Sequence, residues 1–493
     1  MAIAGLPFVI IGRTDHIAWT TTTASADNTD IYIEKLCGGG TGYLFNSVCT
    51  PFETRLETIG VKGAANVQLT VLRTVHGSVV GPVVGGVVVC PHPSGVCHSQ
   101  KQAGRERLIE DARGRLAVDR ARNIHEFEAA IKQEVSPNNF LYADKTGNIA
   151  YWMSGQIPVR PGGFDPRLPL PGDGSAEWTD ELLPMPTSIN PTRGWLANWN
   201  NKPSADYDNP DDAFLGKYDR VLEIEARLAG TGLISLDDMR DIPTDIARLT
   251  QGAQPQANGG SGRRARFLNP YLLAALDVFP PGHPLALQAR AVLEAWDGSA
   301  LADALTSTTL APGEVIFAGW LGQMRTVVFL DELGANVSQA TANVLTHVLD
   351  DALGGGSGVP PSRDYFTDPK FTDPNAAMSR AFDLALSALG PNPSAWSAQP
   401  RGTVLFRHAL FPTIPQVGTM PQSNRGTYAQ IVVLRNPKIS AENILTLGQS
   451  GFIRLGPSNT SEFDSHFKDQ FDKLYREFQY KPMPLFRNTQ LHE

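Results

Sequence analysis

A chain of 493 residues, 42 % hydrophobic and 19 % charged with a formal charge of −8, carries ample material for a core and is not a disordered polymer. Its acidic balance argues against wide nucleic-acid contact, which needs clustered Lys and Arg. The nearest cluster, Arg263-Arg264-Ala265-Arg266, follows Asn258-Gly259-Gly260-Ser261-Gly262 and reads as an exposed loop end. No apolar run reaches the ~20 residues of a membrane helix; residues 79–90 come nearest and are interrupted by Gly81, Pro82, Gly85 and Gly86. No basic patch precedes the first apolar segment, so the start does not read as a secretory signal.

In chain order, residues 8–90 read as β. Phe8-Val9-Ile10-Ile11 is a strand-like run before a turn at Gly12-Arg13-Thr14-Asp15, and residues 16–23 are rich in β-branched side chains. Residues 31–36 form another short strand, and residues 67–75 alternate apolar with polar positions, as a half-buried strand should. Cys37 and Cys49 flank a Gly-rich loop; Cys90 and Cys97 flank Pro-His-Pro-Ser-Gly-Val. Two local disulfides are the simplest reading and imply an oxidising compartment. A zinc site from Cys90, His92, Cys97 and His98, or reduced thiols, remain open readings.

The period changes at residues 121–135, where Ile124, Phe127 and Ile131 fall at helical spacing, with Asn123 as N-cap and Glu126 at the capping-box position. β character returns at residues 140–144 and 149–153 around a Lys145-Thr146-Gly147-Asn148 hairpin turn. Proline and glycine density makes residues 157–191 an extended wrapping loop. From Tyr218 to about residue 352 the spacing is helical, including residues 270–276, 285–296 and 338–353; Gly/Pro-rich breaks at 252–262 and 354–361 read as exposed loops. β character reappears at 426–434, and 461–478 reads as a closing helix. Sheet first, helices inserted and sheet last predict one α+β unit over 1–493: mainly β at 1–217, a helical insertion at 218–353, and a returning α/β portion at 362–493.

The chemistry-bearing stretch is Ala197-Asn198-Trp199-Asn200-Asn201, with a carboxylate-rich tail at Asp208, Asp211 and Asp212. Carboxamides present N–H donors to an oxyanion without adding charge, and loop carboxylates hold hard cations. The same residue types are also common turn formers. Asp27-Asn28-Thr29-Asp30 sets two carboxylates around an intervening carbonyl, a spacing that suits one calcium ion, with Asp211 as a distant further ligand. Gly448-Gln449-Ser450-Gly451 has Phe452 where a nucleophile elbow needs its last glycine. No phosphate-binding loop, dinucleotide fingerprint or His-Glu-x-x-His is present.

Together these stretches resemble the large catalytic subunit of the penicillin acylase family of N-terminal-nucleophile hydrolases. The resemblance runs from Gly5 to the C-terminus. It rests on Ala18-Trp19-Thr20 through Asp30, Arg73-Thr74-Val75-His76-Gly77, Tyr142-Ala143-Asp144 with Gly147-Asn148-Ile149, and Asp165-Pro166-Arg167-Leu168-Pro169. It continues in Ala197-Asn198-Trp199-Asn200-Asn201 with Asp219-Arg220, Asn424-Arg425-Gly426-Thr427, Gly448-Gln449-Ser450-Gly451 and His466 with Asp469-Gln470.

The resemblance implies an αββα sandwich of two antiparallel sheets, no organic cofactor, and hydrolysis of a small N-acyl amide through an acyl-enzyme. An N-terminal Ser, Thr or Cys would be activated by its own α-amine. Asn200 matches the oxyanion-hole carboxamide, Thr23 the residue whose backbone N–H is the second donor, and Arg220 an arginine supporting them. Asp27, Thr29 and Pro166 (both by their carbonyls), Asp30 and Asp211 match calcium ligands. A small subunit of the same precursor would be a partner and would supply one more ligand, and a periplasmic or secreted location is implied. The family's nucleophile and first strands match nothing in this chain, so an N-terminally truncated sequence is expected. A non-catalytic, calcium-stabilised binding relative is the alternative.

Overall fold

The computed structural model describes residues 1–3, 5–84, 87–88, 90, 95–204, 206–207, 218–230, 232–249, 262–298, 309–340, 342–353, 364–366, 373–397, 399–406, 418–421, 428–435, 439–446, 453–455, 461–463 and 470–485. The chain divides into two compact units, Met1–Gly216 and Lys217–Glu493.

The first unit opens with strands β1 (Gly12–Arg13), β2 (Ile17–Thr23), β3 (Thr29–Cys37), β4 (Gly42–Phe45), β5 (Val48–Pro51), β6 (Glu53–Ile59), β7 (Val67–Thr74) and β8 (Gly77–Val80). It continues with β9 (Val83–Val84), β10 (Val87–Val88), β11 (Val96–Gln102), helices α1 (Leu108–Val118) and α2 (Ile124–Ile131), then β12 (Asn138–Asp144), β13 (Ile149–Met153), β14 (Leu170–Pro171) and β15 (Thr187–Ile189). One sheet runs β1-β2-β12-β13-β15. The other runs β5-β4-β3-β11-β8-β7-β10-β9, with β14 joined to β3 and β6 to β7. Pairing is antiparallel except at β14–β3 and β10–β7.

The five-stranded sheet sorts its side chains by parity, the period-two rule of a pleated strand. Ile17, Trp19, Phe140, Tyr142, Ala150 and Trp152 pack on one face against Val118, Phe127 and Ile131 of the two helices. Tyr151 and Met153 pack on the other face with Ala24, Ala26 and Ile157, and Leu141 lies against them. Helix α2 has the expected cap: Asn123 Oδ1 accepts from the Glu126 N–H at 3.0 Å, while the Glu126 carboxylate reaches back to the Arg122 N–H at 2.9 Å. Disulfides join Cys37 to Cys49 and Cys90 to Cys97, which removes the thiolates a zinc site would require.

Residues 8–11 do not form the expected strand. Val9 donates its N–H to Asp119 Oδ2 at 2.9 Å, Ile10 donates its N–H to the Met1 carbonyl, and the Ile10 carbonyl accepts from the Trp19 indole at 3.1 Å. With these groups engaged, pairing within 8–11 is limited to an isolated Ala2–Val9 bridge, the ladder begins at β1, and the turn shifts to residues 14–16, where Thr14 N–H donates to the Ile17 carbonyl.

The second unit contains α3 (Tyr218–Ala229), α4 (Leu236–Leu249), α5 (Gly262–Val278), α6 (Ala286–Ala295), α7 (Pro312–Leu333), α8 (Ala342–Ala352) and α9 (Pro374–Leu389). Phe317, Trp320 and Met324 of α7 are buried with Leu268 and Leu272 of α5, Met378 and Phe382 of α9, and Trp396. Pro312 and Pro374 occupy first-turn positions, where the missing N–H costs nothing. Strands β16 (Thr403–Phe406) and β17 (Gly418–Pro421) pair, as do β18 (Tyr428–Val433), β19 (Ser440–Leu445) and β22 (Lys481–Pro482), and β20 (Ile453–Leu455) with β21 (Ser461–Phe463). The expected closing helix at 461–478 is therefore only partly helical. Ser461–Phe463 pairs with Ile453–Leu455, and helical turns occupy Phe471–Tyr475. An available strand partner overrides local spacing here. The Gly/Pro-rich breaks expected at 252–262 and 354–361 lie outside the described residues, save Gly262, which opens α5.

Candidate active site

β2 ends at Thr23, and the backbone direction there decides what the site can do. β12 sets Asn139 opposite Thr22 and Asn138 opposite Thr23; one residue further, the Ala24 N–H donates to the Pro137 carbonyl. In an antiparallel ladder such bonded residues alternate with residues whose N–H and C=O turn the other way. Thr23 therefore makes no backbone hydrogen bond to β12 and turns both groups toward the side of β2 that β1 covers only at Ala18 and Trp19.

Asn200 comes to this open side. Its Nδ2 donates to the Thr23 carbonyl at 2.7 Å. Asn200 sits in the left-handed region at φ +60°, which Asn tolerates better than most residues. Its neighbours hold it there. Asn198 Oδ1 accepts from the Asn200 N–H at 3.0 Å and from Thr22 Oγ1 at 2.8 Å, and Asn201 Oδ1 accepts from the Trp199 N–H at 2.8 Å. Asn198 and Asn201 thus do the turn-forming work that the residue types suggest, while Asn200 spends its side chain on β2.

The Asp27–Asp30 turn lies at the start of β3. Asp27 Oδ1 accepts from the Thr29 N–H at 3.2 Å. Arg160 Nε donates to Asp30 Oδ2 at 2.8 Å, and Arg160 Nη2 donates to Asp27 Oδ2 at 3.0 Å. The Trp178 indole adds a 2.6 Å hydrogen bond to Asp30 Oδ2. Burial raises the Asp27 pKa, against the opposing pull of Arg160. Asp30 is 2 % exposed, and its Oδ1 is buried without a hydrogen-bond partner. An orphaned carboxylate oxygen of this kind fits a hard cation. Pro166 lies in the turn closed by Leu168 N–H on the Asp165 carbonyl. Asp211 and the Arg220 side chain lie outside the described residues, although the Arg220 backbone belongs to α3. Among the described residues no group of three or more His, Cys, Asp or Glu side chains is arranged to hold a metal.

A family model described as penicillin amidase matches residues 1–491. This chain belongs to the penicillin amidase family. It is 30 % identical to penicillin G acylase of Escherichia coli over 507 residues, covering 96 % of this chain and 57 % of that protein. It is 27 % identical over 424 residues to the acyl-homoserine lactone acylase QuiP of Pseudomonas aeruginosa, covering 80 % of this chain and 48 % of that protein. The chain thus spans about half the length of the curated relatives it matches. A solved thermostable penicillin G acylase from Alcaligenes faecalis superposes with a TM-score of 0.80 at 27 % identity, over 98 % of this chain and 88 % of that one. The α+β architecture with antiparallel sheets is accordingly that of the N-terminal-nucleophile hydrolases. No described helix is long and apolar enough to cross a membrane.

Around Asp30 and the Arg73-Thr74-Val75-His76-Gly77 motif the fold assembles further groups, Arg160, Trp178, Glu34, Ser99, Lys101 and Glu177, that residue patterns alone did not single out. Arg160 and Trp178 come from the wrapping loop and meet Asp30 on the inward face of β3. Two residues on, Tyr32 stacks on His76 at 3.9 Å between ring centroids. Two further on, buried Glu34 accepts from His76 Nδ1 at 2.7 Å, Thr74 Oγ1 at 2.8 Å and Ser99 Oγ at 2.6 Å. His76 Nε2 meets Glu177 Oε1 at 2.6 Å, and Lys101 Nζ donates to Glu177 Oε2 at 2.9 Å. Acidic residues at positions 30 and 34 of a strand whose even positions are buried were the available signal, since a buried carboxylate demands partners.

Proposed function

We propose that this chain forms the oxyanion-stabilising part of an amidohydrolase that cleaves a linear N-acyl amide through an acyl-enzyme. The observation that carries this reading is the convergence of Asn200 Nδ2 and the Thr23 backbone on the open side of β2. A carboxamide NH₂ has two hydrogens. One is spent on the Thr23 carbonyl, and the other, with the Thr23 N–H, is of the right chemistry to meet the oxygen of a tetrahedral intermediate.

The nucleophile of this reading is a Ser, Thr or Cys at a mature N-terminus, in polypeptide beyond the motifs matched here. Its hydroxyl or thiol attacks the amide carbon while its α-amine takes the proton. The carbonyl oxygen acquires the charge that Thr23 and Asn200 hold. The tetrahedral intermediate collapses, the amine leaves with that proton, and water then releases the acid by the same route. Arg220 is the proposed support for the donors. Relatives described as penicillin G acylase and acyl-homoserine lactone acylase support N-acyl compounds of those two kinds as the substrate class, and a relative described as a penicillin acylase 2 proenzyme from a Pseudomonas species, 26 % identical over 309 residues, supports a processed precursor with a small-subunit partner.

Calcium is part of the proposal. Asp30 Oδ1, Asp27, Asp211 and the carbonyls of Thr29 and Pro166 are the proposed ligands; the ion would add positive charge beside Arg160 and tie the loops to β3. The two disulfides support an oxidising compartment, periplasmic or secreted.

The test is mass spectrometry of the complete protein, expressed from its whole coding region, during turnover of a chromogenic N-acyl amide. An acyl adduct on an N-terminal Ser, Thr or Cys is expected, with no turnover by the 493 residues alone. Turnover by these residues in isolation, or an adduct on one of their own side chains, would sink the assignment. Metal analysis after dialysis should find about one calcium per complete protein; retention of none would remove calcium from the account.

A further inference from the structure

We propose that Asn139, backed by the Tyr151 hydroxyl, is a positioning residue that fixes both oxyanion donors of the proposed site relative to each other. The inference rests on the amidohydrolase reading and adds two residues to it.

Asn139 lies on β12 opposite Thr22 and is 2 % exposed. It shares its sheet face with Leu141 and Tyr151, and Ala24, Ala26, Met153, Ile157 and Tyr207 pack against that face. A carboxamide in such surroundings is costly unless its polar atoms are paired, and an apolar residue like Leu141 would fill the place without that cost. Every hydrogen bond Asn139 makes through its side chain bears on the site. Its Nδ2 donates to the Thr23 carbonyl at 3.1 Å and to Thr22 Oγ1 at 3.2 Å. Its Oδ1 accepts from the Tyr151 hydroxyl at 2.7 Å. Burial raises the Tyr151 pKa, so the phenol remains a donor across the working pH range.

These bonds close a ring. Thr22 Oγ1 donates to Asn198 Oδ1, Asn198 Oδ1 accepts the Asn200 N–H, and Asn200 Nδ2 returns to the Thr23 carbonyl that Asn139 also holds. The two groups of Asn139 Nδ2 therefore grip one strand residue on each side of the circuit: Thr23, which carries one donor, and Thr22, which anchors the turn carrying the other. Tyr151 sets which way the carboxamide faces, because its hydroxyl hydrogen must meet the oxygen end. Oxyanion donors act by being already in place when charge develops, so loss of this grip should slow the chemical step without weakening substrate binding.

The experiment uses the complete protein and compares Tyr151→Phe, Asn139→Ala and Asn200→Ala, with kcat and KM normalised to acylatable sites and melting followed in parallel. Tyr151→Phe should lower kcat ~10-fold and Asn139→Ala ~100-fold, with KM within ~2-fold of the parent. Asn200→Ala reports on the underlying reading. If it abolishes turnover while Tyr151→Phe and Asn139→Ala leave kcat intact, the positioning role is wrong and the oxyanion hole stands. If Asn200→Ala leaves turnover intact, both are wrong. Should Asn139→Ala fail to fold, Tyr151→Phe decides alone. A raised KM, or a loss that vanishes on normalising to acylatable sites, would mark a structural role and overturn the proposal.

Discussion

At the scale of single residues, the site is built by side chains that answer specific backbone needs. Asn200 and Thr23 were singled out as candidates because their motifs carry a recognisable order along the chain. The fold adds the reason they meet, which is that Thr23 falls on the outward-facing alternation of β2. Asn139 and Arg160 were not legible, since an isolated Asn and an Arg between prolines have no pattern until the sheet register and the wrapping loop bring them to Thr23 and Asp30. Arg160 is the more exposed to a direct test. Its guanidinium is the cation facing two partly or fully buried carboxylates, and removing one partner of such a pair strands the other charge. Arg160→Leu should destabilise the calcium-free protein by about 3–5 kcal/mol in denaturant melts with chelator at neutral pH. A change below ~1 kcal/mol would mean that solvent already satisfies Asp27 and Asp30.

At the scale of elements, the hydrophobic period located β2, β3, β7, β12, β13 and β18 and helices α2, α5, α6 and α8, while ends and edges depended on partners. Helix α2 was legible to its cap, because Asn123 and Glu126 act locally. Asn123→Ala should cost about 1 kcal/mol in the same melts. Residues 8–11 and 461–463 were misjudged because distant groups, Asp119 and the Trp19 indole in one case and β20 in the other, settle their state. The wrapping loop is fastened to β3 by His76 between Glu34 and Glu177. Burial opposes the charged imidazolium, but its hydrogen bonds to Glu177 and Glu34 prevail and raise its pKa above 6.5. Glu177 is likewise opposed by burial and brought down to about 2 by His76 and Lys101.

The signs follow from linkage. The His76 contribution is complete below pH 6.5 and is lost as pH rises through its raised folded value. The Glu177 contribution is complete above pH 4.5 and is lost as pH falls toward about 2. The clamp is therefore strongest between these limits. Replacing His76 with Gln should lower the melting temperature most at pH 5–6, with the difference from the parent shrinking at alkaline pH. A difference that is flat with pH would show that His76 is neutral in the folded protein.

At the scale of the molecule, the sequence predicts one unit over 1–493 with a mainly β part to residue 217, whereas the chain divides into two compact units, Met1–Gly216 and Lys217–Glu493. The long central helix α7 and its partner α9 were less legible, because helices that bury several faces lose the simple amphipathic stripe. Each unit also buries an acid beside an arginine. Burial pushes Glu134 up to about 8 against the pull of Arg115, and Glu314 up to about 7 against that of Arg401. A raised acid favours folding at low pH, fully below pH 4.5, and that contribution disappears as pH rises through about 8 for Glu134 and about 7 for Glu314. Stability of the whole protein should therefore fall between pH 4.5 and about 8, and Glu134→Gln with Glu314→Gln should flatten that slope. An unchanged slope in the double variant would place that loss elsewhere.

The central claim, that Asn200 and Thr23 form the oxyanion hole of an amidohydrolase, is tested most directly by the turnover number of the complete protein carrying Asn200→Ala. The account predicts a kcat on an N-acyl amide reduced ~10²- to 10³-fold with the melting temperature near that of the parent; an unchanged kcat in a folded, acylatable protein would contradict it.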